Sequence, residues 1–174
     1  MPHLVLHPLL QYSQNGGERG QTSALLWDLR KSPTSARHVS APTRPLSEFE
    51  LSQHATNPPV FSIRVTCGVF PESSWIIEAK NWLGVTVGNV LEAIFATVNA
   101  QINYAEWDKL CPKQQNRVNI VFDARWRQSI DSQRVRERGI LRSDCLLQHV
   151  LFAGISTVPD NEDTYLLTLK RPKR

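Results

Sequence analysis

The chain contains 174 residues, of which 41% are hydrophobic and 21% charged, a composition that supports a hydrophobic core and excludes a disordered chain. The formal net charge is +4, but four of the 20 basic residues lie in the last five positions, 170–174, and the other 16 are balanced by 16 acidic residues. This balance disfavours the net basic face of a nucleic-acid-binding protein.

The first third of the chain predicts two short strands and a long loop. Leu4–Leu10 is an apolar run with a proline at position 8, which is typical of an edge strand. The polar stretch 13–22 predicts a loop, and Ala24–Leu29 predicts a second strand. Residues 32–59 contain five prolines and many hydroxyl side chains, so we expect a long irregular loop that packs on the core or acts as a lid.

Within residues 61–102, the spacing of the apolar residues changes from a period of two, typical of a strand, to a period of 3.6, typical of a helix. Apolar and polar residues alternate over 61–67, which indicates a half-buried strand, and 75–79 predicts its hairpin partner. Thr86 is placed as the N-cap of the clearest amphipathic helix in the chain. The apolar face of this helix consists of Val87, Val90, Leu91, Ile94, Phe95, Val98 and Ile102.

The second half of the chain predicts two further helices and two strands. Asn103 and Glu106 have the spacing of a capping box, and Pro112 suits the first turn of a helix that continues to about Ser129. Residues 149–155 and 165–169 predict strands. We therefore expect one α+β domain over residues 1–169: a mainly antiparallel sheet of about five or six strands, with a three-helix insert (Thr86 to about Ser129) packed on one face.

The segment Lys113–Arg142 carries the most unusual charge pattern. It holds eight basic and three acidic residues. On a helix, Arg125 falls within the apolar arc formed by Val118, Val121, Phe122 and Trp126. A guanidinium in that position has to reach solvent or a carboxylate, because an unpaired buried charge is costly. The candidate carboxylates are Asp28, Glu78 and Asp144; the alternative is that Arg125 binds an anionic ligand.

Binding of nucleic acid to this segment is not favoured. Arg134, Arg136 and Arg138 would share a face only in an extended conformation, and as a helix they would spread. Single-stranded nucleic acids bind where aromatic and basic side chains are interleaved, whereas the sequence assigns Trp126 to the apolar arc.

No motif predicts catalysis, a metal or a cofactor. The five histidines lack the spacing of zinc ligands, and Cys67, Cys111 and Cys145 form no closely spaced pair. Phosphate-loop, dinucleotide and hydrolase signatures are absent from the sequence. We therefore predict no catalytic residues, no metal site and no cofactor.

The sequence also indicates the cellular setting. No segment reaches the roughly 18–20 apolar residues of a membrane-spanning helix, and the unpaired cysteines suit a reducing compartment. We expect a soluble, intracellular and cytoplasmic protein without membrane contact. The basic tail 170–174 also resembles a weak nuclear-localisation signal.

Several segments occur in an order that resembles a known family. They are LVLHPLL, LLWDLR, ATNPP, TVGNVLEAIF, FDARWR, RERGILRSDCL and FAGIS, and together they extend from about Leu4 to Leu169. The resemblance is to an uncharacterised domain-of-unknown-function family that is abundant in mushroom-forming fungi. It implies a fungal source and a small intracellular domain, and it implies no activity. Leu141 replaces the usual second basic residue before Arg142, which weakens an anion-site interpretation of that turn.

Two functional hypotheses lead at this stage, and nucleic-acid binding through the segment 113–142 is a third and less favoured one. The first is a non-catalytic protein-interaction or ligand-binding module, with a protein partner or a second copy at a sheet edge. The second is an enzyme or small-molecule binder with a polar pocket under the 32–59 loop. The candidate ligand-binding residues are Arg125, Arg142, Asp28, His7 and Asp144.

Overall fold

A computed structural model describes residues 3–14 and 20–174 of the chain. Helices and strands are mixed, so the predicted α+β class is confirmed. The strands of the described residues are β1 (Val5–Leu6), β2 (Leu25–Leu26), β3 (Arg37–His38), β4 (Ala41–Pro45), β5 (Thr56–Asn57), β6 (Ser62–Thr66), β7 (Ile77–Lys80), β8 (Leu151–Val158) and β9 (Asn161–Lys170). The helices are α1 (Glu48–Ser52), α2 (Val87–Val98), α3 (Tyr104–Asp108), α4 (Pro112–Arg127), α5 (Ser132–Arg138) and α6 (Arg142–Cys145).

The main sheet has four strands in the order β7-β6-β9-β8. Its outer pairs are antiparallel, whereas the central pair β6–β9 is parallel. The single sheet of five or six strands predicted from the sequence is not formed, because the short N-terminal strands pair with one another. They make a two-stranded sheet, β1-β5, and a three-stranded sheet, β2-β3-β4.

The segment 32–59 is not the irregular loop that its prolines predicted. It contains a 3-10 helix (Pro33–Ser35), followed by β3, β4, α1 and β5. A capping box between Ser47 and Glu50 starts α1. Pro33 starts the 3-10 helix, Pro42 and Pro45 lie in the edge strand β4, where a missing N–H donor is tolerated, and Pro58 and Pro59 follow β5. Of the loop predicted at 13–22, residues 15–19 lie outside the described residues.

Helix α2 forms the centre of the core against β7. Val87, Val90, Leu91, Ile94 and Val98 are buried, as their spacing predicted, and Thr86 caps the helix. The helix ends at Val98 rather than at Ile102. The Asn99 side chain explains this end, because it donates hydrogen bonds to the backbone oxygens of Phe95 and Leu29.

The helical insert is longer than the predicted three helices. Helices α2 to α6 all lie between β7 and β8 in the chain. Asp131 caps α5, and Gly139 ends it with a φ of 79°. Part of the insert packs around a second, smaller core of Trp75, Leu110, Val118 and Cys145.

The outer edge of β8 is covered by two segments from the N-terminal part of the chain. Residues 10–12 hydrogen-bond to Ile155, and residues 27–29 hydrogen-bond to Val150 and Phe152. The first approach requires a glycine, because a Cβ on Gly154 would lie 2.5 Å from the Tyr12 Cα atom. These contacts place the turn after β2 beside the helical insert.

Candidate functional site

Arg125 forms a bidentate ion pair with Asp144. Its Nε and Nη2 donate to the two carboxylate oxygens at 2.8 Å each, and Nη2 also donates to the Gly139 oxygen at 2.9 Å. Asp144 is only 2% exposed and also accepts the backbone N–H of Leu141 at 2.8 Å. The sequence prediction that Arg125 has a carboxylate partner is confirmed, and of the three candidates the partner is Asp144.

Asp28 is tied to Arg30, two residues further on. Arg30 donates through Nε at 2.9 Å and through Nη2 at 2.6 Å to the two carboxylate oxygens. Burial would raise the pKa of Asp28, but the hydrogen bonds and the charge of Arg30, aided by Lys31, bring it below its ordinary value. The hydrogen bond to Asp28 raises the pKa of Arg30, and the more distant charge of Asp144 adds to this rise. Arg30 therefore lies within electrostatic reach of both aspartates.

The two ion pairs meet at one cleft of about 490 Å³, which we name the arginine cleft. It lies between the turn after β2, the C-terminal end of α2 and the α4–α6 segment. Its polar lining is Arg30, Asn99, Arg125, Ser129, Arg138 and Ser143. Arg138 is exposed and forms no salt bridge among the described residues; its Nη2 donates to the Asn99 oxygen at 3.5 Å.

Arg142 points away from this cleft, towards a polar cluster around Glu106. Its Nη2 donates to Glu106 Oε1 at 2.8 Å, and Trp75 Nε1 donates to the same oxygen at 2.8 Å. The guanidinium also stacks on the Trp75 ring at 4.9 Å. Burial would raise the pKa of Glu106, but hydrogen bonds from the Asn103 backbone, Arg142 and Trp75 bring it below its ordinary value. Arg142 thus braces α3 against α6.

His7 belongs to neither cluster. Its backbone N–H donates to the Ala55 oxygen at 2.8 Å, its Nδ1 accepts the Leu9 N–H at 3.1 Å, and its Nε2 contacts the Gln53 side chain. His7 does contact the 32–59 segment, but no residue of that segment lines the arginine cleft. The arginine cleft is therefore not the polar pocket predicted under that segment, and it does not bring all of the candidate residues together.

A second, larger cavity lies across the Gln101–Leu141 bridge from the arginine cleft. Its volume is about 640 Å³, and it is an open groove with the aromatic residues Tyr104, Trp107 and Phe122 on its walls. Arg136 lines this groove and stacks on Trp126 at 5.0 Å, while Arg127 stacks on the same ring at 5.2 Å. Trp126 is therefore half-buried beneath two arginines, rather than committed to the apolar arc as the sequence predicted.

The sequence interpretation missed three residues of these sites: Arg30, Arg138 and Glu106. Arg30 follows Asp28 by two positions in a turn, which is a weak local signal for the pair. The sequence indicated Glu106 only as a helix-capping residue. Its ion pair with Arg142 was missed because the two residues are far apart in sequence. Among the residues that the structure describes, no group of three or more His, Cys, Asp or Glu side chains could hold a metal ion.

Comparison with known proteins identifies the chain's family. The sequence model of a family of unknown function, DUF6699, matches residues 25–164. The chain belongs to this family. The match supports the expectation of a family of unknown function, over a shorter span than Leu4–Leu169, and it includes every residue of the arginine cleft.

Neither the curated proteins nor the solved structures contain a match to this DUF6699 chain. Within residues 3–14 and 20–174, no helix is long and apolar enough to cross a lipid bilayer.

Proposed function

We propose that this protein is a ligand-binding module whose site is the arginine cleft and whose ligand is a small anionic molecule. The observation that carries the proposal is that the guanidinium groups of Arg30, Arg125 and Arg138 line one cleft of about 490 Å³. Arginine is suited to this role because its planar N–H fork matches carboxylate and phosphate oxygens.

Two of these arginines are held in place before any ligand arrives. Arg30 and Arg125 each use Nε and Nη2 to bind an aspartate, and no hydrogen bond among the described residues uses their Nη1 groups. A side chain that is already fixed loses little conformational entropy when it binds a ligand. Nη1 of both residues is thus available to an anion at low entropic cost.

The charge balance of the cleft favours an anion. The three arginines contribute three positive charges, and Asp28 and Asp144 offset two of them. The remaining charge is that of Arg138. The hydroxyl groups of Ser129 and Ser143 line the same cleft and add neutral hydrogen-bond donors. A carboxylate or phosphate on a molecule small enough for the cleft satisfies these groups.

Arg138→Gln tests this proposal most directly, because Arg138 has no carboxylate to lose. A panel of small carboxylates and phosphates is screened by thermal shift, and the best binder is then measured by calorimetry at low salt. We expect Arg138→Gln to weaken binding by about tenfold or more, since a charged hydrogen bond contributes about 1.5–3 kcal/mol.

Arg134→Gln is the matched control, because Arg134 is exposed on the same helix and does not line the cleft. It should leave the affinity unchanged. The proposal fails if no compound in the panel binds, or if the two variants weaken binding equally.

Protein interaction is the second candidate, and an exposed apolar patch favours it. Phe61, Trp82 and Leu83 are 69%, 81% and 66% exposed, and the Asn81 N–H donates to the Phe61 oxygen, which brings the two segments together. The sheet-edge partner expected from the sequence stays a prediction. The free edge β7 is only four residues long and carries the Glu78–Lys80 ion pair, features that discourage edge pairing.

Light scattering over a wide range of protein concentration tests the apolar patch as a contact between copies of the chain. The interaction hypothesis predicts a concentration-dependent dimer that the double change Trp82→Gln, Leu83→Ser abolishes. Ile130→Ser, which alters an exposed apolar residue outside the patch, is the control. A monomer at every concentration contradicts self-association through the patch.

A further inference from the structure

A second basic cleft lies on the other side of the Asp28–Arg30 pair. Its volume is about 350 Å³, and it is formed by β2, β3 and the ends of β8 and β9. Lys31, Arg37 and Lys170 line it; the first two are close in sequence, and Lys170 comes from the far end of β9. It shares no lining residue with the arginine cleft.

The charges of this cleft are not neutralised by its own residues. Asp28 is the acidic side chain in its lining, and both oxygens of that carboxylate are bound by Arg30. Lys31 interacts with Asp28 only through the longer-range effect of its charge. Among the described residues, none of Lys31, Arg37 and Lys170 forms a salt bridge.

Arg37 carries the clearest sign of a missing partner. Its Nη1 atom is buried and has no hydrogen-bond partner among the described residues. A buried donor without an acceptor is destabilising, and most buried polar groups in proteins are satisfied. Arg37 lies in the central strand of its sheet, where it pairs with Leu26 on one side and Pro45 on the other. This pairing fixes the position of its backbone.

Lys170 adds a second group that an anion would stabilise. It is partly buried at the end of β9, and both this burial and the charge of Lys173 lower its pKa. A negative charge beside Lys170 would offset both effects. Leu26 and Phe152 also line the cleft and add apolar surface beside the basic groups.

We propose that this second cleft binds a phosphate group, supplied by inorganic phosphate or by a phosphomonoester. Two ammonium groups and one guanidinium group surround it, which suits a compact dianion better than a single carboxylate. The Arg37 guanidinium, which has no salt bridge among the described residues, would donate to a phosphate oxygen.

The experiment is calorimetric titration of the full chain with inorganic phosphate, and separately with phenyl phosphate, at low ionic strength. We expect Arg37→Gln to weaken phosphate binding by about tenfold or more. Arg44→Gln is the matched control, since Arg44 lies on the adjacent strand, is exposed, and does not line the cleft. Lys170→Gln is the second variant, in case Arg37→Gln does not fold, and it should weaken binding in the same direction.

The outcomes also separate this cleft from the arginine cleft. Phosphate binding that is lost in Arg37→Gln or Lys170→Gln and retained in Arg138→Gln supports the second site, whatever the fate of the proposed function. Binding lost only in Arg138→Gln places phosphate in the arginine cleft and overturns the second site. Absence of binding, or equal weakening by Arg44→Gln, also overturns it. Vesicles that contain phosphatidic acid form a further arm: binding to them in preference to both soluble probes would assign the phosphate to a lipid headgroup.

Discussion

Asp144 is the residue on which the local structure of the arginine cleft depends. Its carboxylate is 2% exposed and accepts hydrogen bonds from Arg125 and from the Leu141 backbone. Arg125 is the less buried member of the pair, with 24% of its side chain exposed. The long stem of arginine lets it lie along apolar surface while its charged end reaches the carboxylate.

Removal of the Arg125 guanidinium should destabilise the protein. Arg125→Ala leaves the Asp144 carboxylate buried without its counter-ion, so we expect the free energy of unfolding to fall by about 2–4 kcal/mol. Urea denaturation followed by circular dichroism measures this change. Arg117→Ala, an exposed position on the same helix, should stay within about 0.5 kcal/mol of the wild type. An unchanged denaturation midpoint for Arg125→Ala would contradict the structural importance of the pair.

At the scale of elements, α3 and α6 are both short and depend on side-chain contacts. Helix α3 has five residues and α6 has four, too few to be stable alone. Glu106 connects them, since it caps α3 through the Asn103 N–H and binds Arg142 at the start of α6. Because Asp144 also lies on α6, the contact between Glu106 and Arg142 helps to hold Asp144 in place. The Glu106 cluster therefore stabilises the arginine cleft indirectly.

The Glu106 cluster predicts a pH dependence of stability. The pKa of Glu106 lies below its ordinary value of 4.5 in the folded protein. A carboxyl group with a lowered folded-state pKa stabilises the protein above its unfolded pKa, and this contribution is lost as the pH falls through the folded value. Glu106→Gln should therefore be less stable than the wild type at neutral pH, and it should lose less stability on acidification below about pH 4.5.

Thermal unfolding across this pH range, in low salt, checks the prediction. Glu92→Gln is the control, because Glu92 is exposed on α2 and lies outside the cluster. Parallel pH profiles for Glu106→Gln and the wild type would show that the folded-state pKa of Glu106 does not contribute to stability.

Local signals in the sequence predict some elements of the fold and leave others undetermined. The apolar period and the Thr86 N-cap predict helix α2. Pro112 predicts the start of helix α4. The strands between residues 37 and 57 did not follow, because β3 and β5 have only two residues each and β4 contains two prolines, which disfavour a strand prediction. A carboxylate partner for Arg125 followed from an arginine inside an apolar arc, but the choice of Asp144 among three candidates required the structure. The position of Arg138 in the arginine cleft did not follow, because it depends on the convergence of α5 with the turn after β2.

At the scale of the whole molecule, the N-terminal segment is part of the main sheet region. Leu6, Leu9 and Leu10 are buried in the main core, and residues 10–12 hydrogen-bond to β8. The close approach of Tyr12 to Gly154 makes this attachment specific.

Gly154→Ala should damage the fold. The residue has a φ of 120°, and a Cβ would lie 2.5 Å from Tyr12 Cα and 2.7 Å from its backbone nitrogen. Neither backbone can yield without breaking strand contacts, so we expect a loss of about 3 kcal/mol or more. Differential scanning calorimetry measures it. Gly68→Ala, where a Cβ meets no atom within 4 Å, should change stability little. A near-wild-type melting temperature for Gly154→Ala would show that the N-terminal segment is only loosely attached.

The covered edge of β8 also determines how far the chain can be truncated without loss of core contacts. The family match begins at residue 25 and ends at residue 164, within β9. A fragment with those limits lacks Leu9 and Leu10 on one side, and Tyr165, Leu167 and Leu169 on the other, all of them buried. It would also expose the β8 edge as a template for aggregation. Limited proteolysis of the intact protein should therefore leave a resistant core that includes residues 4–14 and 165–169, longer at both ends than the span by which the family is recognised.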